Sequence, residues 1–196
     1  MTWMYLVRHG QTALSAQRRF CGRSDVRLSA EGRRGVECLQ WSGPPPTVAY
    51  TSPLLRARET AKLLNAQLPR LVWQVEPRLQ ESDFGQWESL SGDELTERYP
   101  EALLNWQADP LGFVPPGGES VLCMAGRVLN FYHQALELHA HQTVILVTHG
   151  GPIRVMLLAA LGLPLTEFWD WDPPCPSVSC IEVGERTTVH YFGRQA

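Results

Sequence analysis

Short apolar runs alternate along the chain with longer segments in which apolar residues recur at helical spacing. Residues 4–7 (MYLV) and 144–147 (VILV) have the length and the β-branched or aromatic content of buried strands. The same signal predicts strands at residues 3–7, 47–51, 71–75, 143–148, 177–183 and 188–192. This alternation of strand and helix signals is typical of α/β proteins.

Helix signals fall between the predicted strands. Ser29 is the predicted N-cap of a helix that runs to Trp41, and Ser52 is the predicted N-cap of a second helix. Residues 119–139 place apolar side chains at helical spacing and predict a third helix. A short apolar helix follows the fourth strand and is expected to end at Gly162.

These elements predict an α/β fold, a three-layer α/β/α sandwich with a mostly parallel central sheet, in one domain spanning residues 1–196. Residues 82–118 interrupt the pattern with Trp87, Trp106, several acidic residues and clustered proline and glycine. We interpret this segment as a small helical cap. It either covers a cleft, with the two tryptophans near the pocket mouth, or decorates the surface.

Composition excludes several classes of function. A net charge of −3 gives no basic footprint for nucleic acid, so any anion site needs a local concentration of positive charge. No apolar run is long enough to predict a membrane span. The five cysteines form no C-x-x-C motif and are expected to be free thiols, which favours a soluble, cytoplasmic protein.

Two predicted strands end on the same unusual pair of residues. The first strand is followed by His9 and Gly10, with Arg8 before them, and the fourth by His149 and Gly150. Ligands of open α/β sheets bind beyond the carboxyl ends of the strands, and glycine lets backbone approach closely there. The second pair also opens a helix, whose N-terminus favours an anion.

Two further strand ends carry complementary groups. Arg56 lies in the first turn after the second strand, and the carboxylates Glu81, Asp83 and Glu88 follow the third. Arginines and imidazoles can hold phosphoryl oxygens, an imidazole can attack phosphorus, and an acid can protonate the leaving oxygen. The combined set therefore indicates phosphoryl transfer.

These residues sit in motifs that resemble a known family. The motifs LVRHGQT, SPLLRARETA, LQESDFGQWES, PPGGES and VTHGGPIR occur in the order found in the histidine phosphatase superfamily, which is also called phosphoglycerate mutase-like. The resemblance covers residues 3–162. Within the family, DFGQWES followed by PPGGES is most similar to the alpha-ribazole phosphatase group.

The resemblance implies a role for each matching residue. His9 would be the nucleophile and become a phosphohistidine, while Arg8, Arg56 and His149 would surround the phosphoryl group. Gly150 is expected to contribute to the same phosphate site. The family needs no metal or other cofactor, so none is expected in this protein.

The proton donor and one phosphate ligand are less fully specified. The resemblance implies that Glu81 protonates the leaving alkoxide and then activates water, with Asp83 as the alternative. Family members commonly place asparagine seven residues after the arginine of R-H-G, whereas this chain has Ser15. Ser15 is expected to bind substrate, although its hydroxyl reaches less far. Arg18, Arg19 and Arg23 follow nearby; any one could face the substrate.

The WDWDPP segment at residues 169–174 is expected to pack beneath the last strands.

Taken together, the motifs predict a metal-independent phosphomonoesterase that acts on a small-molecule phosphate ester. The expected substrate is alpha-ribazole 5′-phosphate, from cobalamin synthesis. The alternatives are a broad-specificity phosphatase, a phosphoglycerate mutase and a non-catalytic phosphate-binding protein. A homodimer is one possible assembly, and the sequence does not decide the oligomeric state.

Overall fold

The structure is a computed structural model that describes residues 1–68 and 71–195. The strands are β1 (Thr2–Arg8), β2 (Val48–Thr51), β3 (Trp73–Val75), β4 (Thr143–Thr148), β5 (Ser177–Val183) and β6 (Thr188–Arg194). The α-helices are α1 (Ala13–Ala16), α2 (Ala30–Glu37), α3 (Leu55–Leu64), α4 (Gly92–Arg98), α5 (Pro100–Ala108), α6 (Val121–Leu138) and α7 (Gly150–Leu161). Short 3₁₀ turns occupy Pro77–Leu79, Gly85–Trp87 and Leu165–Asp170.

All six strands form one sheet in the order β3-β2-β4-β1-β5-β6. The pairings among β3, β2, β4 and β1 are parallel, and β5 and β6 join as antiparallel strands. The predicted mostly parallel sheet is therefore confirmed. In the part of the chain that is described, no helix is long and apolar enough to cross a membrane.

Helices cover both faces of the sheet. On one face, side chains of α6 and α7 pack against Met4, Leu6, Val144 and Leu146. On the other face, side chains of α2 and α3 pack against the intervening strand residues, including Ile145. Successive residues of a strand point to opposite faces, so the wholly buried β4 serves both cores. The predicted three-layer arrangement is confirmed.

Most predicted elements are present, with shifted ends. The bounds of β4 and β5 are as predicted, as is the end of α7 at Gly162, which has a φ of 67°. Ser29 is the N-cap of α2, but that helix ends at Glu37 rather than Trp41. There the Leu39 N–H closes the last turn onto residue 36, and its side chain packs into the core.

The predicted N-cap of α3 is wrong. The helix begins at Leu55 with Leu54 as its N-cap residue. Ser52 Oγ instead lies 2.8 Å from the Nε2 atom of His149. The Leu55 N–H donates to the carboxylate of Asp25 at 2.6 Å, so a side chain from another loop caps this helix.

Residues 82–118 fold as the 3₁₀ turn Gly85–Trp87 followed by α4 and α5, so their predicted helical character is confirmed. Ser91 and Glu94 form a capping box at the start of α4. Trp87 is almost fully buried, contacts the ring of Trp106 and stacks on Phe113. This aromatic cluster gives the segment a small core of its own.

Gly126 provides a test of the helical backbone. It lies in the exposed interior of α6, and an added Cβ would meet no atom within 4 Å. We predict that Gly126→Ala raises the free energy of unfolding by about 0.5–1 kcal/mol, because alanine loses less backbone entropy on folding. Urea unfolding measures the change.

Gly162→Ala is the matched control. An added Cβ there is also free of contacts, but the φ of 67° strains any L side chain. We expect this variant to lose stability. If Gly126→Ala also lost stability, the assignment of an unstrained helical glycine in α6 would be contradicted.

Candidate active site

Sheet register places two histidines side by side. β1 and β4 are parallel neighbours whose last paired residues are Arg8 and Thr148. The residues that follow are His9 and His149, and the His9 amide N–H donates to the Thr148 carbonyl oxygen at 3.1 Å. The two imidazole ring centroids lie 5.0 Å apart. The two His-Gly pairs therefore lie side by side because β1 and β4 are paired in parallel and in this register.

Hydrogen bonds fix His9 in one tautomer. Its Nδ1 lies 2.7 Å from the Gly10 carbonyl oxygen, which can only accept, so Nδ1 carries the ring proton. The Arg56 Nε–H group donates to His9 Nε2 at 3.1 Å. Burial, followed by the charges of Arg56 and Arg8, lowers the pKa of His9 well below its usual value, although the Gly10 carbonyl acts in the opposite direction. His9 is therefore a neutral imidazole with its lone pair on Nε2.

His149 is the N-cap residue of α7 and is completely buried. Its Nε2 lies 2.8 Å from Ser52 Oγ. Its Nδ1 is buried and lacks a hydrogen-bond partner within residues 1–68 and 71–195. Burial, followed by the charge of Arg56 and the neighbouring His9 ring, lowers the pKa of His149 well below its usual value. A buried ring nitrogen without a protein partner is a candidate ligand for substrate.

Arg56 is buried beneath His9, in the first turn of α3. Its terminal nitrogens donate to backbone carbonyls of the loop before α2: Nη1 to Ser24 at 2.9 Å, and Nη2 to Gly22 at 2.6 Å and Cys21 at 3.3 Å. A buried guanidinium needs such acceptors to offset its lost hydration. Arg56 therefore ties this loop to the His9 ring.

Arg8 lies along the start of α7. A Cβ on Gly150 would lie 3.3 Å from Arg8 Cζ, so a side chain at this position would crowd the guanidinium. Arg8 Nη1 donates to the Pro173 carbonyl oxygen and, at 3.2 Å, to Asp172. Arg8 Nε is buried without a protein partner among the described residues. Gly150 thus lets a cation approach the N-terminus of α7.

The Glu81 carboxylate is held by backbone N–H groups. One oxygen accepts from Ser82 at 2.9 Å, and the other accepts from Gly151 at 3.2 Å. A Cβ on Gly151 would lie 2.4 Å from Glu81 Oε1, so this approach requires glycine. Arg127 Nη2 donates to the Glu81 carbonyl oxygen at 2.9 Å, a contact that the sequence analysis missed.

Asp83 has a different environment from Glu81. One of its oxygens accepts from the Gly85 N–H at 2.9 Å, and the other lies 3.8 Å from Arg23 Nε. The Asp83 N–H donates to Glu119. Burial would raise the pKa of Glu119, but hydrogen bonds and charges from Arg127 and Arg23 hold it below its usual value. Asp83 and Glu119 therefore belong to a network that fixes the start of the cap segment.

Glu88 holds in place the loop whose backbone carbonyl groups bind Arg56. Its carboxylate accepts backbone N–H groups from Gly22, Arg23, Ser24 and Phe84 at 2.8–3.3 Å. The Ser24 hydroxyl donates to the same carboxylate at 2.6 Å. Among the candidate carboxylates after the third strand, Glu88 therefore has a structural role: it orders the loop at residues 22–24.

Ser15 faces the cleft but has local partners. Its Oγ accepts from the Thr12 N–H at 2.9 Å and lies 3.1 Å from the Thr12 carbonyl oxygen, as part of the capping box of α1. Arg18 and Arg19 also line the cleft. Arg19 is paired with Glu94 at 2.6 Å.

Two adjoining cavities open at the carboxyl ends of the strands. The first, which we call the cleft, is lined by residues that include Arg8, His9, Ser15, Arg18, Arg19, Glu81, Gly150, Arg154 and Asp172. The arginines outnumber the carboxylates here, so positive charge is concentrated locally in a protein whose net charge is −3. Across residues 1–68 and 71–195, no three His, Cys, Asp or Glu side chains form a metal-binding group.

The second cavity, which we call the aromatic pocket, is lined by residues that include Trp87, Trp106, Phe113, Phe168 and Trp169. The ring centroids of Trp106, from the cap segment, and Trp169 lie 5.6 Å apart. Glu81, Phe84, Gly151 and Arg154 line both cavities. The aromatic pocket is therefore a continuation of the cleft.

The expectation for the WDWDPP segment is wrong in part. Trp171 does pack against the core beside α6 and α7. Asp172, however, lines the cleft and binds Arg8 and Arg154. The composition of the segment gave no sign of this contact, because the two arginines come from distant parts of the chain.

Comparison with known proteins identifies the family. A model described as Histidine phosphatase superfamily (branch 1) matches residues 4–191. The chain belongs to the histidine phosphatase superfamily. This histidine phosphatase is 34% identical to phosphoserine phosphatase 1 from Hydrogenobacter thermophilus, over 96% of the chain and 90% of the relative. It is therefore a phosphatase, a hydrolase that acts on phosphate esters.

One further relative and one solved structure are also similar to this chain. A 2,3-bisphosphoglycerate-dependent phosphoglycerate mutase 2 from Gloeobacter violaceus is 31% identical, over 81% of the chain and 75% of the relative. The structure of an alpha-ribazole phosphatase from Shigella flexneri superposes with a TM-score of 0.87 at 24% identity, covering 98% of this chain and 96% of that one. At that identity the superposition shows the shared fold.

The two buried imidazoles of this histidine phosphatase predict a pH-dependent stability. In the unfolded chain each would take up a proton near its ordinary pKa of about 6.5, whereas the folded rings stay neutral to lower pH. Unfolding therefore binds protons below that pH, and the free energy of unfolding falls as the pH falls. We predict a shallower fall in His149→Gln, by up to about 1.4 kcal/mol per pH unit.

Urea unfolding between about pH 7 and pH 5 measures these slopes. His133→Gln, which removes an exposed imidazole from α6, is the control and should keep the wild-type slope. Equal slopes in wild type and His149→Gln would contradict the neutral state of the buried ring.

Proposed function

We propose that this protein is a metal-independent phosphomonoesterase that acts through a phosphohistidine at His9. The observation that carries the proposal is the fixed tautomer of His9, with the proton on Nδ1 and the lone pair on Nε2. A neutral ring is the nucleophilic form, and the lowered pKa keeps it neutral.

In the first step, the Nε2 lone pair forms a bond to phosphorus while the bond from phosphorus to the ester oxygen breaks. Arg8 and Arg56 donate to the phosphoryl oxygens, with Arg56 Nε moving from the ring nitrogen to an oxygen. If the Ser52 hydroxyl donates to His149 Nε2, the proton of His149 lies on Nδ1 and is a further donor. These groups supply the positive charge that stabilises the transition state.

The Glu81 carboxyl group gives its proton to the leaving alkoxide in the same step. Its carboxylate then accepts a proton from water, the water oxygen bonds to phosphorus, and the P–N bond breaks to release orthophosphate and free His9. Glu81 lines both cavities and so lies between the phosphoryl site and the leaving group. Asp83 is not among the residues that line either cavity, and its carboxylate is directed to the Gly85 N–H and Arg23.

The aromatic pocket supports a leaving group with an aromatic ring. It continues directly from the cleft, and Trp106, Phe113 and Trp169 in its lining are partly exposed. A contact between a substrate ring and one of these rings adds about 0.5–1.5 kcal/mol beyond area burial. Alpha-ribazole 5′-phosphate combines a phosphate ester, a ribose and an aromatic base, and we propose it as the substrate.

A second candidate substrate is phosphoserine. It is favoured by the 34% identity to phosphoserine phosphatase 1, which extends over almost the whole chain. The relationship to a phosphoglycerate mutase similarly makes 3-phosphoglycerate a substrate to compare. Both compounds are small and carry a carboxylate, so they would leave the aromatic rings largely unused.

A side-by-side assay separates these candidates. We predict that kcat/KM for alpha-ribazole 5′-phosphate exceeds that for O-phosphoserine and 3-phosphoglycerate, because the aromatic pocket adds binding energy. Released phosphate and isomerised product are measured separately, with an excess of chelator present.

His9→Ala controls for contaminating phosphatase and should be inactive. If isomerised product formed faster than phosphate was released, the assignment of the protein as a hydrolase would be contradicted. Loss of activity on chelation would contradict the metal-independent mechanism. Equal, slow cleavage of every ester would indicate a broad-specificity phosphatase.

Leaving-group dependence tests the proton donor. Removal of a positioned general acid costs about 10²–10⁴-fold in rate. We predict a loss in that range for Glu81→Gln with alkyl phosphates and a smaller loss with an activated aryl phosphate, whose phenolate leaves without a proton. Asp83→Asn, which removes a neighbouring carboxylate, should lose less on alkyl esters. The opposite ranking would assign the acid to Asp83.

A further inference from the structure

One carboxylate bridges two arginines of the cleft. Arg8 comes from the end of β1 and Arg154 from the second turn of α7, and both donate to Asp172 Oδ1, at 3.2 Å and 2.6 Å respectively. The same two arginines also bind the backbone of residues 171 and 173. Arg154 Nε donates to the Trp171 carbonyl oxygen at 2.6 Å, and Arg8 donates to the Pro173 carbonyl oxygen.

The bridge lies at the boundary between the two cavities. Arg154 lines both the cleft and the aromatic pocket, and its guanidinium sits over the rings of Phe168 and Trp169, 5.0 Å and 5.4 Å from their centroids. The side chain of Arg154 is 14% exposed, whereas that of Asp172 is 66% exposed. The carboxylate therefore reaches in from the solvent side and covers a largely enclosed cation.

This placement decides which charge a leaving group meets. Toward the aromatic pocket, a leaving group would meet Arg154, whose charge is already neutralised by the Asp172 carboxylate. A second anionic group on the substrate would be repelled by Asp172 or would have to displace it. A neutral ring would contact the aromatic walls without that competition.

We infer that Asp172 is a specificity-determining residue that disfavours phosphate esters whose leaving group carries a carboxylate. The inference rests on the proposed phosphatase function and names the substrate class, esters with a neutral leaving group. Arg18 and Arg19 also line the cleft, and they are unchanged between wild type and an Asp172 variant, so their contribution cancels in the comparison.

The test uses two esters that differ only in this charge, 4-carboxyphenyl phosphate and 4-carbamoylphenyl phosphate. The readout is the ratio of kcat/KM for the carboxylate ester to kcat/KM for the amide ester. Asp172→Asn should raise this ratio roughly fivefold, mainly through KM, as expected for one partly exposed charge. Asp170→Asn removes an exposed carboxylate two residues away and should leave the ratio unchanged.

Adding Arg154→Gln to Asp172→Asn should reduce the gain, because one of the two arginines that Asp172 covers is then absent. An unchanged ratio in Asp172→Asn, or an equal gain in Asp170→Asn, would overturn the inference. Binding of the matching phosphonates gives a readout without turnover. A fivefold shift in the Kd ratio of the phosphonates, together with no hydrolysis of the two phosphate esters, would support the role of Asp172 and contradict the proposed function.

Discussion

The hydrogen bond between His9 Nδ1 and the Gly10 carbonyl oxygen is the constraint on which the site depends. It determines which ring nitrogen holds the proton and therefore which one would attack phosphorus in the proposed mechanism. The Arg56 Nε–H group on the opposite nitrogen requires the same tautomer. Burial lowers the pKa of His9, and the neighbouring Arg56 charge lowers it further, because a second positive charge beside it would be unfavourable.

The rest of the fold holds this ring and its partners in place. The β1–β4 register puts His149 beside His9, and the carboxylate of Glu88 fixes the loop that satisfies Arg56. Arg127 donates to the backbone carbonyl of Glu81 and forms an ion pair with Glu119, which belongs to the network at the start of the cap segment. The geometry of the candidate active site thus comes from the sheet, the helices and buried hydrogen bonds.

Much of this could be predicted from the sequence because it depends on local pattern. Strand periodicity located β4 and β5, and glycines after two strand ends marked His9 and His149. The α3 N-cap could not be predicted, because Asp25 supplies it from a different loop while Ser52 turns to His149. Local sequence rules do not register such long-range competition for a side chain.

The roles of Asp172 and Arg127 were missed for the same reason. Asp172 sits in a segment whose aromatic and acidic composition indicates ordinary packing, and its partners lie on β1 and α7. Arg127 is a half-buried residue of α6, and the backbone carbonyl groups that it binds belong to residues 78–81, far from it in the sequence. Contacts between elements far apart in sequence become visible only when the sheet order is known.

The position of the phosphoryl group on the His9 ring tests the central claim most directly. Wild-type protein would be mixed with substrate, quenched rapidly in base and examined by phosphorus–proton correlation spectroscopy, with peptide mapping to locate the residue. The account predicts one base-stable adduct, on His9 and bonded through Nε2. An adduct bonded through Nδ1, an adduct on another residue, or turnover without any phosphoenzyme would contradict it.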